Sequence, residues 1–441
     1  MKSIVAIGAV LAMVCASLAM AGVASAAGER NLTPVVEQGS TDRLGGGDWI
    51  TVRAGDARVG VVYGTTVHPN ELYVFAEYKR FLGGADVYDS RGNYLRTTGV
   101  PVYTVFGQSF DALIEFQDRN NDSLLNLYRF DRNDTLIGDL PAKATSLVRA
   151  WTASTPTIEK SVNTTWVNFT VSTRNLPYDT VWGPLGFPRR GTPLDGVLER
   201  LAFTFHLKVD VREVSGVAPW YKVTLDDTVG RGVDRVEFLE NRTFSGQAVA
   251  MGAKYDHLIE GWDFARPMNR LALETEAFLA HYLPQRVAEV IHEAMHSVAY
   301  NTTTFRRTDT DSTIPLDPTR LQGDVVYFDD QWEQVGRLVW MSGVTVDGQP
   351  DTMLFQVQGG RRFATSRTGA EYAGFAIRGA YIYPSGSVIE HDPGLEAVSY
   401  LWSLPEVLNL TPFLVLAIQV AVAAFAMGAA ILLRARGRRT T

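Results

Sequence analysis

The feature that most constrains this chain is an uncharged apolar run from Pro412 to Leu433, in which Gln419 is the only strongly polar side chain. An α-helix rises about 1.5 Å per residue, so about 20 apolar residues span the hydrocarbon core of a bilayer. Basic residues beside a span remain in the cytoplasm, and this run is followed by Arg434, Arg436, Arg438 and Arg439. We therefore expect a single-pass protein that contacts the lipid bilayer through Pro412–Leu433, with its N-terminus outside the cell and its C-terminus in the cytoplasm.

The first 26 residues have the three parts of a secretory signal peptide. Lys2 supplies the positive charge, Ile4 to Ala21 supply the apolar core, and Ala24-Ser25-Ala26 supplies the small residues of a cleavage site. The chain's one cysteine, Cys15, lies inside this segment, so we expect the mature protein to contain no disulfide. An ectodomain of this length can bury a sizeable core without such staples.

The chain is rich in acceptor sites for N-linked glycans. Of its 14 asparagines, eight begin an Asn-x-Ser/Thr triplet, which marks exposed positions of exported proteins. The predicted glycosylation sites are Asn31, Asn121, Asn133, Asn163, Asn168, Asn241, Asn301 and Asn409. An exported, cysteine-free and sequon-rich layout resembles archaeal cell-surface proteins. That resemblance implies a glycoprotein of the cell membrane.

Charge patterning excludes one class of partner. The net charge of −7 is spread along the chain, and no long basic run occurs outside the C-terminal tail. A protein that binds nucleic acid needs a clustered basic surface to neutralise phosphates. We therefore expect no nucleic-acid partner and consider other surface proteins or glycans as partners.

Between its two ends the chain is predicted to be mainly β. From Leu198 to Val211, apolar residues such as Phe203 and Phe205 alternate with polar residues such as His206, as in a strand with one buried face. Trp220 to Leu225 predicts a separate strand, and Tyr88 to Tyr94 predicts a turn in which Gly92 can adopt positive φ. Many short strands of this kind predict one or two antiparallel β-sandwich-like domains.

The organisation predicted along the chain has one helical part outside the anchor. Pro267 to Tyr300 has a helical pattern, which Pro284 divides into two pieces. We expect a signal peptide at 1–26, β-rich domains at 27–145 and 146–252, an α+β membrane-proximal region at 253–405, a transmembrane anchor at 406–433 and a cytoplasmic basic tail at 434–441.

The sharpest motif is His292-Glu293-Ala294-Met295-His296. Residues four apart share one helix face, so His292 and His296 could bind one Zn²⁺ while Glu293 acts as general base on a bound water. The pentad resembles the motif of zincin metallopeptidases. That resemblance implies zinc as cofactor and a membrane-anchored peptidase.

Two features of the same stretch favour a structural helix instead. A catalytic zinc needs a third protein ligand, and the extended zincin motif would place Gly and His where this chain has Ala299 and Thr302. Glu333, Glu371 and His391 are the remaining candidates for that ligand. In helical projection His292 and His296 also fall away from the apolar face formed by Val287, Ile291, Ala294 and Val298.

A second candidate site is the stretch from Asp118 to Asn126, which resembles calcium-binding D-x-N-x-D loops. Oxygen side chains at positions one, three, five and nine of such a loop can surround Ca²⁺, and here they are Asp118, Asn120, Asp122 and Asn126. Ser123 replaces the usual glycine, and Arg129 stands where an acidic residue is expected. The alternative is a polar loop whose Asn and Asp side chains satisfy the turn.

The sequence contains no complete catalytic set. We therefore predict a membrane-anchored extracellular glycoprotein with a non-catalytic binding, adhesion or envelope-structural role, with calcium as the candidate cofactor. The alternative is a zinc metallopeptidase that uses His292, His296 and Glu293.

Overall fold

The structure is a computed structural model that describes residues 32–41, 47–126, 138–182, 189–226, 232–283, 304–307, 313–314, 325–329, 334–367 and 370–397. In these ranges the chain forms strands, turns and loops, and none of it is a helix that could cross a membrane. The prediction of a mainly β, antiparallel fold is confirmed. The predicted anchor Pro412–Leu433 lies outside the described residues.

The structure contains strands of very different lengths. The first nine strands are β1 Val35–Thr41, β2 Gly47–Ala54, β3 Ala57–Tyr63, β4 Leu72–Tyr88, β5 Tyr94–Gln117, β6 Leu140–Ser146, β7 Thr152–Ala153, β8 Thr157–Lys160 and β9 Thr164–Trp182. The next three are long: β10 Arg189–Asp226, β11 Gly232–Glu260 and β12 Arg270–Leu283. The others are β13 Thr304–Arg307, β14 Thr313–Ile314, β15 Val325–Asp329, β16 Gln334–Val339, β17 Gly343–Val346, β18 Gln349–Thr352, β19 Leu354–Arg367, β20 Ala370–Tyr383, β21 Val388–His391 and β22 Gly394–Ala397.

Two series of strands make up most of the fold. In the first, each neighbour is antiparallel in the order β1-β2-β3-β4-β5-β12-β20-β19. The second is built on β9-β10-β11, and β21 and β22 add to the free side of β11. The series are joined where β4 pairs in parallel with β10, and through β6, which pairs with both β5 and β9. The described strands therefore form one hydrogen-bonded sheet.

The main core lies where β10 and β11 pack across from β2, β3 and β4. The alternation predicted from Leu198 to Val211 is confirmed, because Phe203 and Phe205 are fully buried while Thr204 and His206 are half-buried. The Phe203 ring lies 4.6 Å from that of Phe110, centroid to centroid, and such pairs add to the hydrophobic gain of burial. Residues from all three predicted extracellular regions belong to this core cluster. The division into separate domains stays a prediction.

One prediction is wrong over part of its length. The helix expected from Pro267 to Tyr300 is, over Arg270–Leu283, the strand β12, which pairs with β5 on one side and β20 on the other. Its apolar positions face two buried layers, so Leu271, Ala272 and Leu273 are all fully buried. Burial of consecutive residues removes the period-two signal of a strand, and tertiary pairing then overrides the helix propensity of Leu, Ala and Glu. Residues 284–300 lie outside the described part.

A second difference concerns the length of β10. The separate strand expected at Trp220–Leu225 is the far end of β10, which continues without a break from the core. Between Val211 and Pro219, β10 pairs with β11 alone, because β9 ends its pairing at Asp210 and β4 begins at Trp220. Beyond that point β5, β4, β10 and β11 lie side by side. We call residues 84–99 and 211–249 the arm.

At the outer end of the arm Val87 and Val223 are fully buried, but where β10 pairs with β11 alone the ribbon is solvated on both faces. Adjacent residues of a strand point to opposite faces, and the adjacent pair Arg212 and Glu213 are both exposed. The predicted turn at its tip is confirmed, since β4 ends at Tyr88, β5 begins at Tyr94 and Gly92 adopts a φ of 83°. At a strand rise of about 3.3 Å per residue, the part of β10 beyond the core extends about 50 Å.

Candidate functional site

The residues of the zinc hypothesis, His292, Glu293 and His296, lie outside the described residues. So do four predicted glycan acceptors: Asn31, Asn133, Asn301 and Asn409. Within the described ranges, no group of three or more His, Cys, Asp or Glu side chains is placed to hold a metal ion. Zinc binding and the peptidase alternative therefore stay predictions.

The structure brings the four predicted calcium ligands into one loop after β5. Asp118 accepts from the backbone N–H groups of Asp122 at 3.2 Å and Ser123 at 2.9 Å, and lies 3.3 Å from Arg270 Nε. Asp122 accepts from Leu124 N at 2.8 Å and from the amides of Asn120 and Asn126. The loop oxygens are thus engaged by donors of the chain itself, which is how Asn and Asp satisfy a polar turn. Calcium binding stays a prediction.

A further carboxylate closes this loop from the residue before β6. Asp139, which is fully buried, accepts from Asn126 N at 2.7 Å and Arg119 N at 3.1 Å. Burial raises its pKa, the two N–H groups lower it, and the nearby charges of Asp118 and Asp122 raise it further. Asp139 completes the loop. The sequence does not predict this, because Asp139 follows Asp118 by far more residues than a calcium-binding loop spans.

The predicted glycan acceptors inside the described ranges differ in access. Asn121, Asn163 and Asn241 are exposed. Asn168 is half-buried, with its amide bonded to Glu159 at 3.2 Å and its Oδ1 2.9 Å from His206 Nδ1. Glycosylation of Asn168 would require these contacts to break, so the three exposed positions are the better acceptors.

A buried polar cluster crosses the core between the two series of strands. Gln108 Nε2 lies 2.7 Å from Thr275 Oγ1 and 3.0 Å from Tyr381 Oη, and Tyr255 Oη donates to Gln108 Oε1. Burial raises the pKa of Tyr381 to about 12 and that of Tyr255 well above its usual value. Both hydroxyls therefore stay protonated at physiological pH; Tyr255 donates to Gln108, and Tyr381 accepts from it.

Two buried histidines continue this cluster through one tyrosine. His391 Nε2 lies 2.5 Å from the carbonyl of Trp340, so it carries the proton and Nδ1 accepts from Tyr383 Oη at 3.1 Å. Tyr383 Oη in turn lies 2.5 Å from His257 Nε2, which must be the donor. Burial lowers the pKa of His391 to about 4 and that of His257 well below its usual value. Both imidazoles are therefore neutral, and the hydrogen bonds from His257 through Tyr383 to His391 connect β11, β20 and β21.

Glu71, the residue before β4, lies near the carboxyl group of Asp111 on β5. Burial raises the pKa of Glu71, and the neighbouring charge of Asp111 raises it further, while Tyr73 Oη donates to Glu71 at 2.8 Å and lowers it. Two carboxyl groups that share a proton can carry out acid–base chemistry when a substrate reaches them. Neither Glu71 nor Asp111 lines the open surface pocket of about 500 Å³ beside Trp262 and Asp347.

Another buried carboxyl group stands alone on β4. Glu77 is fully buried, lies opposite Arg58 of β3, and has no hydrogen-bond partner for either oxygen among the described residues. Burial raises its pKa to about 8, against the opposing effect of Arg58. Glu77 is therefore protonated at neutral pH, which avoids the cost of a buried charge.

The arm carries five of the large apolar side chains that are exposed among the described residues. The exposed fractions are 63% for Val217, 58% for Phe238, 56% for Tyr94, 50% for Leu95 and 44% for Leu239. A two-stranded ribbon is marginally stable in water unless further strands or a partner cover it.

The base of the arm is held by specific contacts. The guanidinium of Arg242 lies 4.2 Å from the ring centroid of Trp220, bonds Glu240 at 2.7 Å and reaches Asp86 at 3.5 Å. The Trp220 ring also lies against Gly84, where a Cβ atom would come within 2.2 Å of the ring. Glycine is thus required at 84 for the two hairpins to lie side by side.

Comparison of the chain with protein-family models, with curated proteins and with solved structures finds no match to any of them.

Proposed function

We propose that this protein is a membrane-anchored extracellular glycoprotein with a non-catalytic binding or envelope-structural role, and that the arm is its contact surface. The observation that carries the proposal is the exposure of both ribbon faces together with Val217 and Phe238. An enzyme gains little from a long solvated ribbon, whereas a protein that contacts neighbours in an envelope needs such an element.

The chemistry of the described core supports the same role. His257 and His391 are buried, neutral and bonded to each other through Tyr383. Glu115 is fully buried and holds a loop by accepting from Trp262 Nε1 at 3.1 Å and Ala265 N at 2.8 Å. These groups stabilise strands and loops rather than meet a substrate. The layout, which resembles archaeal cell-surface proteins, also favours an envelope role.

The alternative function is a zinc metallopeptidase that uses His292, His296 and Glu293. It depends on the pentad alone, since a third ligand is not identified in the sequence. A metal-bound water activated by Glu293 would supply the chemistry.

One experiment separates the two functions. Full-length protein in lipid vesicles is mixed with envelope fragments from cells that lack it, and the bound fraction is measured by sedimentation. We expect the double variant Val217→Lys/Phe238→Lys to lose most of the binding, and the variant His292→Ala/His296→Ala to bind as well as the wild type. Because both arm residues are exposed, the lysine variant should fold normally, which its thermal midpoint would verify.

The metal content of the same samples decides the alternative. About one zinc per chain that is lost in the histidine variant, together with cleavage of a peptide substrate, would establish the peptidase. Equal binding by the wild type and the lysine variant would refute the role of the arm.

A further inference from the structure

The outer edge of β11 is free over most of the arm. On the side away from β10, β11 pairs with β22 at Met251–Lys254 and with β21 at His257–Glu260. From Gly232 to Ala250 no described strand pairs with this edge. Its outward N–H and C=O groups form a template for another strand.

Two other edge strands carry residues that block strand addition. The short edge strand β18 contains Pro350, and β8 is preceded by Pro156 and ends at Lys160. Proline and lysine on edge strands are common protection against unwanted pairing. The free stretch of β11 contains neither residue type. Among the described edges that lack both residue types, which include those of β1 and β19, this edge is the longest.

The charges on this edge identify which strand fits it. The midpoint between Gly232 and Ala250 is Asn241, with Glu240 and Arg242 on either side. If a second copy pairs antiparallel along the whole free edge, its Arg242 lies opposite Glu240 of the first copy, and the reverse also holds. Arg235 and Glu237 then lie opposite the uncharged stretch from Phe244 to Gln247. β11 is irregular at Asp234 and Leu239, where it has one residue more than β10, so the pairing is regular only near the axis. The register that uses the full edge is thus also one in which opposite charges meet.

Shifted registers are less favourable. A two-fold axis between Phe238 and Leu239 would place Arg235 opposite Arg242 and Glu237 opposite Glu240, and like charges directly opposite each other destabilise a sheet. A shift in the other direction brings the second copy against β22, which already occupies the edge from Met251. Charge and space together select the register centred on Asn241.

We propose that two copies of this protein pair antiparallel through the β11 edges of their arms, about a two-fold axis at Asn241. This inference rests on the proposed function in that it names the partner of the arm, a second copy of the chain. Such a contact is isologous and closes as a dimer. It also adds the strands of the second copy to the ribbon, and a wider sheet is more stable in water than a two-stranded ribbon.

The axis position has a consequence for modification. Asn241 begins a glycan acceptor triplet, and the two Asn241 residues would lie about 5 Å apart across the axis. Two glycans cannot occupy that space, so attachment of a glycan at Asn241 would oppose pairing. The protein is therefore tested in a form made without N-glycosylation.

Cysteine cross-linking tests the register. The chain's one cysteine, Cys15, is first replaced by serine, and full-length protein in detergent is oxidised mildly. We expect Asn241→Cys to form a disulfide-linked dimer, because residues opposite each other on paired strands meet the geometry of a disulfide. Glu237→Cys, on the same edge but far from its own copy, and Val162→Cys, which is 99% exposed elsewhere, are the matched controls and should remain monomeric.

Charge reversal tests the contact without cysteines. We expect Glu240→Arg to weaken the dimer at least tenfold in sedimentation velocity, because the introduced guanidinium would then face Arg242 of the second copy. A monomeric wild type with no cross-link at 241, or equal cross-linking at 237 and 162, would overturn the proposal. Cross-linking of Asn241→Cys to a different envelope protein would overturn it too. A monomer that still binds envelope fragments would leave the proposed function intact.

Discussion

Strands β10 and β11 pass through two regions that differ mainly in their surroundings. Near the core their ladder lies over β2, β3 and β4, and Phe203 is fully buried. In the arm the same ladder continues, but Phe238 is 58% exposed. Antiparallel pairing continues through both regions, with its two irregularities in the arm, so the main difference is side-chain burial. The comparison teaches that one pair of strands can bury a phenylalanine near the core and expose another in the arm.

The sharpest way to break this comparison is to delete the same ring in each region. We expect Phe203→Ala to lower the free energy of unfolding by about 3–5 kcal/mol, since it removes a fully buried ring and leaves a cavity. Phe238→Ala should cost less than about 1 kcal/mol. Urea denaturation of both variants measures the difference. Equal losses would mean that the arm is as much a part of the folded core as Phe203.

Acidification should act on the core and spare the arm. The folded pKa of His391 is about 4, below its ordinary value of 6.5, so the unfolded state binds the proton first as pH falls. Stability is therefore lost between pH 6.5 and about 4, by about 3 kcal/mol for this residue. Because Glu77 acts with the opposite sign over this range, the test is the difference in unfolding free energy between the two proteins: from pH 7 to pH 4.5 the wild type should lose about 2–3 kcal/mol relative to His391→Gln. An unchanged pH dependence in that variant would contradict the assignment.

Raising the pH toward 8 should weaken the core, because the pKa of Glu77 is shifted in the opposite direction to that of His391. The pKa of Glu77 is raised from 4.5 to about 8, so the folded state retains a proton that the unfolded state releases. Stability falls as pH rises through this window, by about 2–3 kcal/mol between about pH 6 and pH 8. Glu77→Gln should flatten this slope in urea titrations at the two pH values. Glu237→Gln, a partly exposed carboxylate of the arm, is the control and should leave the slope unchanged.

The two ends of β5 permit a finer comparison, because one enters the arm and the other enters the Asp118 loop. Asp118→Ala removes the acceptor of two N–H groups and the partner of Arg270. We expect a loss of about 2 kcal/mol in the presence of EDTA. A loss that occurs only with calcium present would instead establish calcium binding, and a calcium titration of the wild-type midpoint would measure it.

The smallest effect should come from the arm end of β5. Gly92 has a φ of 83°, which residues with a Cβ atom rarely adopt, so Gly92→Ala should cost about 1 kcal/mol. Gly343→Ala is the matched control, since no atom lies within 4 Å of the added Cβ and its backbone is ordinary. The thermal unfolding midpoints of the two variants measure the difference. A larger loss of stability in Gly343→Ala than in Gly92→Ala would argue against the positive φ at Gly92.

The sequence predicted those elements whose signal is local. The turn between Tyr88 and Tyr94 follows from Gly92, and the strand through Phe203 and Phe205 follows from strict alternation. The strand β12 was predicted as helix because Leu271, Ala272 and Leu273 are all buried, which leaves no periodicity. The continuity of β10 past Ser215 and Gly216 was also missed, because pairing with β11 maintains it against weak local propensity.

The buried sites could not be predicted for a different reason. Gln108 and Tyr381 are 273 positions apart in the chain, and Gln108 and Tyr255 are 147 apart. No spacing rule connects such residues, since the pairing of β5, β11 and β20 brings them together only in the folded sheet. The Asp118 loop was found because its ligand-like residues are contiguous, whereas Asp139 was not.

The unbroken passage of β10 from core to arm also determines how the protein would carry mechanical load. A pull on the arm along the axis of this 38-residue strand loads its many hydrogen bonds to β9 and β11 in shear, so they must fail together. A pull across the sheet would unzip them one after another at far lower force. Tension along one direction would thus be transmitted from the arm tip into Phe203 and its neighbours with little extension.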